Sequence, residues 1–527
     1  MDNIIQIFKP DDSANAFSSP SAEPTSEIGT SPTLLSPRTS HYTIYVDLPD
    51  NDEEMVLVHG YLGHRVTVSK PVANYLRSLE SKSPPRPLYG EWSEPNYRYK
   101  DIAPPDQATL RLLTKRGFLT KRTYDQELEF FKQYVTVKAR KAARKMPSYL
   151  FMPTYDCNLR CHYCFQDHMR KDPAFKQHLK LMDRATVDRI FYAMPQIERQ
   201  HGYEPDEKKH RHISFFGGEP LLEANREIVE YIMNKSRETG SASFSATSNA
   251  TDLHHYSDLL GENGIAEIQI TLDGLPEEHD KRRIYPDGSG SFDAIARNIT
   301  MALEKGVWVT VRLNIDYDNI EDLPDLARVI LDKGWPGFKN FHTYLAPIRA
   351  ANDEMDAQAC MTTRKLDMAM KEMKRNHPIT ELFSIDAEQM RQKAERIFSH
   401  PENQSRGLKT QYCAAHNNMY LFDAHADIYA CWEKTGDKSI RLGTINKYAG
   451  LQLDRGEQQV WRSRTVATNS VCAQCRYAMH CGGGCAILAA EKTGDLHTNF
   501  CDDYGKRFRT SVAEAYVAQQ QSFTQAS

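Results

Sequence analysis

Three cysteines lie within one short segment of the sequence, Cys157-Asn158-Leu159-Arg160-Cys161-His162-Tyr163-Cys164. The segment follows an apolar run, residues 149–152, which we interpret as a buried strand that ends in a turn. A structural zinc ion is normally bound by four protein ligands. A [4Fe–4S] cluster held by three thiolates instead leaves one iron open for a substrate or a second cofactor. The spacing alone is compatible with either kind of site.

Seven more cysteines form a second group nearer the C-terminus: Cys413, Cys431, Cys472, Cys475, Cys481, Cys485 and Cys501. The chain has 11 cysteines, and only Cys360 lies outside the two groups. Such grouping indicates metal sites rather than disulfides. The four cysteines from Cys472 to Cys485 could by themselves form a zinc ribbon. We interpret Cys360 as a buried cysteine of a helix.

The overall composition argues against several other classes of protein. The net charge of −4 gives no basic excess for binding nucleic acid or an anionic membrane. No apolar run approaches the roughly 20 residues needed to cross a bilayer. The first residues also lack the basic and apolar pattern of a signal peptide. We therefore expect a cytoplasmic protein with no nucleic-acid partner and no membrane partner.

Between residues 147 and 347, β-like and helical segments alternate. Strands are predicted at residues 148–153, 212–216, 243–247, 267–272, 308–315 and 338–345. Helices are predicted at about residues 184–200, 221–238, 253–263, 291–305 and 321–333. This alternation predicts the α/β class and a parallel sheet in a partial (β/α)6 TIM barrel. The functional sites of such barrels lie at the C-terminal ends of the strands, where the 157–164 segment follows the first strand.

The remaining chain divides into regions of different composition. Residues 1–40 are rich in Ser and Pro and predict a disordered tail. Small strands and helices in residues 41–146 predict a winged-helix-like recognition region and a linker helix. Residues 348–405 are interpreted as a helical bridge, 406–505 as a cysteine-rich domain, and 506–527 as a C-terminal helix and tail. Three glycines at 482–484 suggest that the cysteine-rich domain is held by metal rather than by a core.

Polar motifs follow the next three strands of the predicted barrel. They are Gly217-Gly218-Glu219-Pro220 after the second, Ser245-Ala246-Thr247-Ser248-Asn249 at the end of the third, and Asp273-Gly274 with Arg282-Arg283 after the fourth. Glycines let the backbone approach a ligand closely, and a carboxylate can accept hydrogen bonds from an ammonium group. The planar fork of an arginine suits a carboxylate.

The C-x3-C-x2-C segment and these strand-end motifs together resemble the radical SAM enzymes. The resemblance implies that Cys157, Cys161 and Cys164 hold the catalytic [4Fe–4S] cluster, whose open iron chelates S-adenosylmethionine. It also implies a set of SAM-binding residues: Tyr163, Phe165, Gly217, Gly218, Glu219, Pro220, Ser245, Asn249, Asp273 and Arg283. In such enzymes the GGE motif holds the amino group of SAM. Arg283 would pair with the SAM carboxylate, and Arg282 is its competitor for this role.

The C-terminal cysteines resemble the SPASM domain, which carries two auxiliary [4Fe–4S] clusters and so raises the expected number of clusters to three. By this resemblance Cys472, Cys475, Cys481 and Cys501 hold one auxiliary cluster. Cys413, Cys431 and Cys485 supply only three thiolates to the other, which predicts an open or labile iron facing the barrel. Two positions depart from the family pattern. Ala426 replaces a usual glycine, and Trp432 replaces the aspartate that sulfatase-maturing members have after the second cysteine.

The resemblance implies an enzyme that cleaves SAM to a 5′-deoxyadenosyl radical and abstracts a hydrogen atom from a peptide. Our leading hypothesis is a maturase that forms a thioether, C–C or ether cross-link in a ribosomally made precursor. Residues 41–130 would capture the leader of that precursor as an added strand, and a flavodoxin or ferredoxin would supply electrons. One alternative is the maturation of an enzyme partner, such as a sulfatase or a quinohemoprotein. An alternative of another class is a zinc-stabilised peptide-binding protein.

Overall fold

The computed structural model describes residues 37–80, 102–204, 209–350, 352, 360–398 and 407–526. Most of the predicted N-terminal tail, residues 1–36, therefore lies outside the described residues. All eleven cysteines lie inside them, and no disulfide joins any of these cysteines. In the described part of the chain, no helix is both long and apolar enough to cross a membrane.

The N-terminal part contains a small antiparallel sheet and three helices. Its elements are β1 (Arg38–Thr39), β2 (Thr43–Leu48), β3 (Asn51–His59), β4 (Arg65–Ser69), α1 (Lys70–Glu80), α2 (Gln107–Lys115), β5 (Leu119–Thr120) and α3 (Tyr124–Ala142). Strand β3 lies between β2 and β4, and β1 pairs with β5. Thr123 caps α3 with a capping box, because its side chain accepts from the Gln126 amide and Gln126 returns a bond to the Thr123 amide.

The predicted barrel is present as six parallel strands that neighbour one another in chain order. They are β6 (Ser148–Phe151), β7 (His210–Phe215), β8 (Ser241–Ser248), β9 (Ile265–Leu272), β10 (Trp308–Ile315) and β11 (Phe341–Pro347). The elements between them include α4 (His168–Lys171), α5 (Arg184–Gln200), α6 (Arg226–Glu238), α7 (Pro276–Arg282), α8 (Phe292–Glu304) and α9 (Leu323–Asp332). This confirms the α/β class with a parallel sheet as the barrel core.

One predicted barrel helix is wrong. Residues 253–263 form only a short 3-10 turn, Leu253–Tyr256, before the chain enters β9. Gly261 adopts φ +108°, and a Cβ on Gly264 would lie 2.0 Å from the carbonyl oxygen of Leu259. A continuous α-helix cannot include a glycine of positive φ without breaking its backbone hydrogen bonds. The predicted helix therefore cannot continue through Gly261.

The C-terminal part continues the barrel sheet. The elements after the barrel are α10 (Thr363–Asn376), α11 (Asp386–Phe398), β12 (Met419–Phe422), β13 (Asp427–Tyr429), β14 (Gly443–Ile445), β15 (Leu451–Leu453), α12 (Arg455–Ser463), α13 (Ser470–Ala473), α14 (Ala478–Cys481), α15 (Ala486–Thr493) and α16 (Tyr504–Ala526). Strand β12 pairs in parallel with β6, and β13–β15 extend the sheet to ten strands.

This extension corrects the prediction that metal alone would hold the cysteine-rich region. Residues 419–422 are buried in the same apolar cluster as the barrel strands, and Trp461 of α12 is 1% exposed in that cluster. Burying a large apolar side chain contributes about 1.5–3 kcal/mol. The region therefore has a hydrophobic core in common with the barrel.

Helices cover both faces of the small N-terminal sheet. Apolar side chains on one face of β2–β4 pack against α1 and α2. Those on the other face, such as Ile44 and Val58, pack against α11 and α16. The sheet is also tied to the cysteine-rich region, because Tyr42 donates from its hydroxyl to the Ala473 carbonyl over 2.6 Å. The small sheet thus packs against the C-terminal helices and is hydrogen-bonded to the cysteine-rich region.

Candidate active site

A cavity of about 230 Å³ lies at the C-terminal ends of the barrel strands, and Cys157, Cys161 and Cys164 all line it. The cysteine segment is fixed to its surroundings by the backbone. Cys157 donates from its amide to the Asp156 carboxylate over 2.8 Å, and Arg160 donates from its amide to the Ile284 carbonyl over 2.7 Å. Burial raises the pKa of Cys157 to about 12 and that of Cys161 to about 11.

The two glycines after β7 let this strand end pass directly beneath the cysteine segment. A Cβ on Gly217, whose φ is +151°, would lie 2.5 Å from the Thr154 carbonyl oxygen. A Cβ on Gly218 would lie 2.2 Å from the Asp156 oxygen and 2.3 Å from the Tyr155 oxygen. Both glycines line the cavity. Only a residue without a side chain allows this approach.

Glu219 lines the cavity, but its carboxylate is already engaged with the protein. It accepts from the Ser248 hydroxyl over 2.7 Å, from the Asn249 amide over 2.5 Å and from the Leu221 amide. Burial raises the pKa of Glu219 to about 7, while these hydrogen bonds act in the opposite direction. The carboxylate thus joins the ends of β7 and β8. In the same segment, the Pro220 carbonyl accepts from Asn225 over 3.1 Å.

The structure separates the two residues predicted at the end of β8. Asn249 lines the cavity, and its side-chain amide donates to Asn158 of the cysteine segment over 2.9 Å. Ser245 is fully buried deeper in the barrel, where its hydroxyl donates to Ser214 over 3.0 Å, and it is not among the residues that line the cavity. Thr247 and Ser248 supply the hydroxyl groups there instead. Side chains two residues apart on a strand share one face, which makes Thr247 the residue above Ser245.

Tyr163 connects the cysteine segment to the ends of β9 and β10. Its buried hydroxyl donates to Asp273 and accepts from Arg283 over 2.7 Å. Burial acts against the charge of Arg283, but neighbouring acidic groups, Cys161 first among them, outweigh it and raise the pKa of Arg283. Asp273 lies behind this bridge and does not line the cavity, whereas Arg283 does.

The two adjacent arginines are clearly distinguished. Arg282 makes two hydrogen bonds of 2.7 and 3.0 Å to the carboxylate of Asp316 and a further one of 2.6 Å to Glu278. It does not line the cavity. The Nε of Arg283 is buried and finds no hydrogen-bond partner among the described residues. Of the two, Arg283 is therefore the arginine that can donate hydrogen bonds to a ligand carboxylate, and Arg282 stabilises the fold.

Arg170 is a neighbour of the cysteine segment that the sequence analysis did not identify. Its guanidinium donates to the Cys164 sulfur over 3.3 Å. Burial opposes its charge, but the thiols of Cys164 and Cys157 raise the pKa of Arg170. Its Nε and Nη1 are buried without a hydrogen-bond partner in the described part of the chain. Unpaired buried donors are costly, so these atoms fit a site at which an iron–sulfur cluster would supply acceptors.

The far wall of the cavity comes from other strands and from the cysteine-rich region. Phe165, which was predicted to contact the cofactor, lines it, as do further residues that were not predicted: Gln166, Phe216, Gln269, Thr271, Arg312, Asn314, Pro347, Ile348, Arg349, Trp432 and Glu433. Arg349 and Glu433 form an ion pair of 2.9 Å across this wall. Trp432 and Glu433 directly follow Cys431, so the second cysteine group lies against the barrel cavity.

Cys413 and Cys485 lie near enough to Cys431 for their thiols to influence its pKa. Burial raises the pKa of Cys431, and the thiols of Cys413 and Cys485 act in the same direction. The pKa of Cys485 is also raised, first by burial, and is influenced by both Glu433 and Arg349. This three-thiol set is therefore beside the ion pair that lines the cavity.

The other four cysteines surround a separate cavity of about 90 Å³ that all of them line: Cys472, Cys475, Cys481 and Cys501. Three consecutive glycines between Cys481 and Cys485 have positive φ, from +75° to +90°, and a Cβ on Gly484 would lie 1.9 Å from the Phe500 carbonyl oxygen. Across the described residues, no three His, Cys, Asp or Glu side chains converge on a point where one metal ion could be held.

Cys360 does not belong to a helix, which corrects the prediction. It is half-buried and precedes α10.

Comparisons with known proteins agree with this geometry. Residues 151–330 match the family described as the Radical SAM superfamily. The Fe-coproporphyrin III synthase of Methanosarcina barkeri (strain Fusaro / DSM 804) is 25% identical over 203 residues, which are 38% of this chain and 45% of that protein. The cysteine-type anaerobic sulfatase-maturating enzyme of Clostridium novyi (strain NT) is 28% identical over 150 residues, which are 27% of this chain and 37% of that protein. The chain thus spans about half the length, or less, of these curated relatives.

A solved structure of histidine-tagged anSMEcpe with bound AdoMet shares the fold. Its TM-score is 0.50 at 17% identity, and the match covers 71% of this chain and 96% of that chain.

Six parallel strands form the barrel sheet, and three thiols follow its first strand. With the family match, residues 151–330 are a radical SAM domain. Radical SAM enzymes bind a [4Fe–4S] cluster and S-adenosylmethionine, and the buried unpaired donors of Arg170 and Arg283 fit these two groups.

Proposed function

We propose that this protein is a radical SAM/SPASM maturase that cross-links a ribosomally made precursor peptide. The observation that carries the proposal is the composition of the cavity. The cysteine segment forms one side of it, and Trp432 and Glu433, which follow a cysteine of the second group, form another. A substrate between the two sides would contact both cysteine groups.

In this proposal the chain provides the binding groups and the enclosure. Cys157, Cys161 and Cys164 hold the catalytic cluster, and Arg170 neutralises part of the charge of its thiolates. When bound, the cluster together with SAM would supply a 5′-deoxyadenosyl radical, which abstracts a hydrogen atom from an unactivated C–H bond. Arg283 pairs with the SAM carboxylate, and Tyr163 and Asp273 hold Arg283 in place.

The glycine segment after β7 has a different part from its carboxylate. Because the Glu219 carboxylate accepts three hydrogen bonds from the protein, we assign the SAM ammonium group to the backbone carbonyls of Gly217 and Gly218. Glu219 fixes the position of these carbonyls. Phe165 and Asn249, which also line the cavity, would contact the remainder of SAM.

The two auxiliary cysteine sets have different parts. Cys472, Cys475, Cys481 and Cys501 would supply the four thiolates that complete the coordination of a [4Fe–4S] cluster, and a cluster held there would stabilise the fold and carry electrons. Cys413, Cys431 and Cys485 would supply only three thiolates to the second cluster, so one of its irons would be open to a substrate group near Glu433. Electrons reach the protein from a reductant of the flavodoxin or ferredoxin type.

Recognition of the precursor is assigned to the edge of β4. Helices cover both faces of the small sheet, and β4 pairs only with β3 in the part of the chain that the structure describes. An extended leader peptide can add a strand to such an edge, with its backbone supplying the hydrogen bonds.

A second candidate is the maturation of a protein partner, which is favoured by the match to a sulfatase-maturating enzyme. Against it, Trp432 follows Cys431 where the sulfatase-maturing pattern has an aspartate. A zinc-stabilised peptide-binding protein is disfavoured by the match of residues 151–330 to the Radical SAM superfamily.

The proposal is tested by co-expressing the protein anaerobically with short peptides encoded beside its gene. The masses of the peptide products are then measured by mass spectrometry. A cross-link removes two hydrogens from the peptide, and the C157A/C161A/C164A variant must not produce this mass loss. Peptides that stay unmodified, together with a modified folded enzyme, would favour the second candidate.

A further inference from the structure

One buried arginine lies between the two auxiliary cysteine sets. Arg464, which follows α12, is 4% exposed. Its guanidinium donates to four backbone carbonyls: Leu496 at 2.7 Å, Thr498 at 2.8 Å, Gly484 at 3.1 Å and Gly483 at 3.3 Å. These bonds hold the guanidinium against the glycine run that joins Cys481 to Cys485.

The glycine run is also the link between the two sets, because Cys481 belongs to the four-thiol set and Cys485 to the three-thiol set. A Cβ placed on Gly483 would lie 3.9 Å from Nη1 of Arg464 and 3.6 Å from the sulfur of Cys472. The guanidinium and the Cys472 sulfur thus both lie within 4 Å of the same position beside Gly483. Gly483 has no side chain that could separate the Arg464 guanidinium from the Cys472 sulfur.

The charge of Arg464 has no carboxylate partner among the described residues, since all four of its hydrogen-bond acceptors are neutral carbonyls. Burial lowers the pKa of Arg464, and the groups that oppose this are thiols of both sets: Cys472, Cys413, Cys485 and Cys481. A buried cation costs several kcal/mol unless an opposite charge compensates it. Thiolates of the two sets are the anions positioned to do so.

We propose that Arg464 is a counter-ion common to both auxiliary clusters and raises the reduction potential of each. The inference rests on the proposed function only in requiring that both cysteine sets hold clusters. A fixed positive charge favours the reduced, more negative state of a nearby cluster. Because one guanidinium acts on both sets, its loss must shift both potentials in the same direction.

Arg462 offers a matched control two residues away. It is half-buried, and its guanidinium donates to the neutral carbonyls of Ala415 and Met419, each over 3.0 Å. Burial lowers the pKa of Arg462 as well, but Cys413 is the one thiol that opposes the shift. Its removal must therefore leave the four-thiol cluster unchanged.

The experiment uses the full chain with C157A/C161A/C164A, so that only auxiliary clusters contribute to the spectra. Three variants are added separately to this background: Arg464→Met, Arg464→Lys and Arg462→Met. Each is reconstituted anaerobically, its iron and sulfide are counted, and its clusters are titrated electrochemically with EPR detection.

We expect Arg464→Met to lower both midpoint potentials. The ratio of reduced to oxidised cluster at a fixed potential should fall on the order of tenfold, which corresponds to about 59 mV for one electron. Arg464→Lys should keep both midpoint potentials close to those of the protein that retains Arg464. Arg462→Met should leave the potential of the four-thiol cluster unchanged.

Three outcomes would overturn the inference: unchanged potentials in Arg464→Met, a shift confined to one cluster, or equal iron loss in Arg464→Met and Arg464→Lys, which would indicate a purely structural role. Loss of iron from Arg464→Met alone supports it, because lysine retains the charge. If the background protein itself binds no auxiliary iron, the cluster assignment within the proposed function fails instead.

Discussion

Gly218→Ala tests whether the close approach of the β7 end to the cysteine segment is required for catalysis. An added Cβ would lie 2.2 Å from the Asp156 oxygen, 2.3 Å from the Tyr155 oxygen and 2.6 Å from the Tyr155 carbon. Cβ atoms essentially never approach other atoms closer than 3.0 Å. All three contacts are with backbone, so no side chain can rotate away, and the backbone of Tyr155 and Asp156, which leads into the cysteine segment, must move by about 1 Å. A misplacement of about 1 Å in an active site can lower the rate by about 10²-fold.

The assay is the rate of 5′-deoxyadenosine formation under dithionite, normalised to bound iron. We expect a loss of about 10²-fold in Gly218→Ala. Gly337→Ala is the matched control, because nothing lies within 4 Å of its added Cβ and neither glycine requires a positive φ. A Gly218→Ala enzyme with the rate and iron content of the wild type would refute the reasoning.

Three further predictions concern other parts of the molecule. Arg283→Met should weaken SAM binding roughly 10- to 100-fold, since a hydrogen bond to a charged group contributes about 1.5–3 kcal/mol. Arg282 lies away from the cavity, so Arg282→Lys should leave the Kd for SAM unchanged. Equal Kd values in both variants would contradict the assignment. Adding the precursor should slow amide hydrogen exchange in β4, and exchange that slows only elsewhere would exclude this edge as the leader site. Burial raises the pKa of Asp367 from 3.8 to about 7. Its contribution to stability is therefore present below about pH 4 and is lost as pH rises to 7. Asp367→Asn should reduce the fall in Tm between pH 5 and 8, and an unchanged dependence of Tm on pH would show that Asp367 is not the group involved.

The barrel and its cysteine segment could be predicted because local sequence determines them. The alternation of apolar runs with helical segments gave all six barrel strands, and β10 begins and ends at the predicted residues. The glycines and the cysteines occupy strand ends, where short spacings decide what can meet. These features depend on residues that are near one another in the chain.

Features that depend on distant parts of the chain were missed. The pairing of β12 with β6 joins Met419 to Ser148, and nothing in either short strand indicates the other. Trp432 and Glu433 reach the barrel cavity only because of that pairing. Arg170 follows the cysteine segment closely, but its contact with Cys164 depends on a turn of the chain that its polar sequence does not indicate. Ser245 was placed one layer too high because the last residue of β8 could not be fixed from the sequence.

The most direct test of the account compares SAM cleavage by the wild type with that by C157A/C161A/C164A. Both proteins are reconstituted anaerobically, and their iron, sulfide and 5′-deoxyadenosine are measured after reduction with dithionite. The account predicts that the triple variant forms no 5′-deoxyadenosine and loses the iron of one cluster, while the iron of the auxiliary sets remains. Undiminished cleavage by the triple variant, or a wild-type protein that binds zinc and no iron, would contradict it.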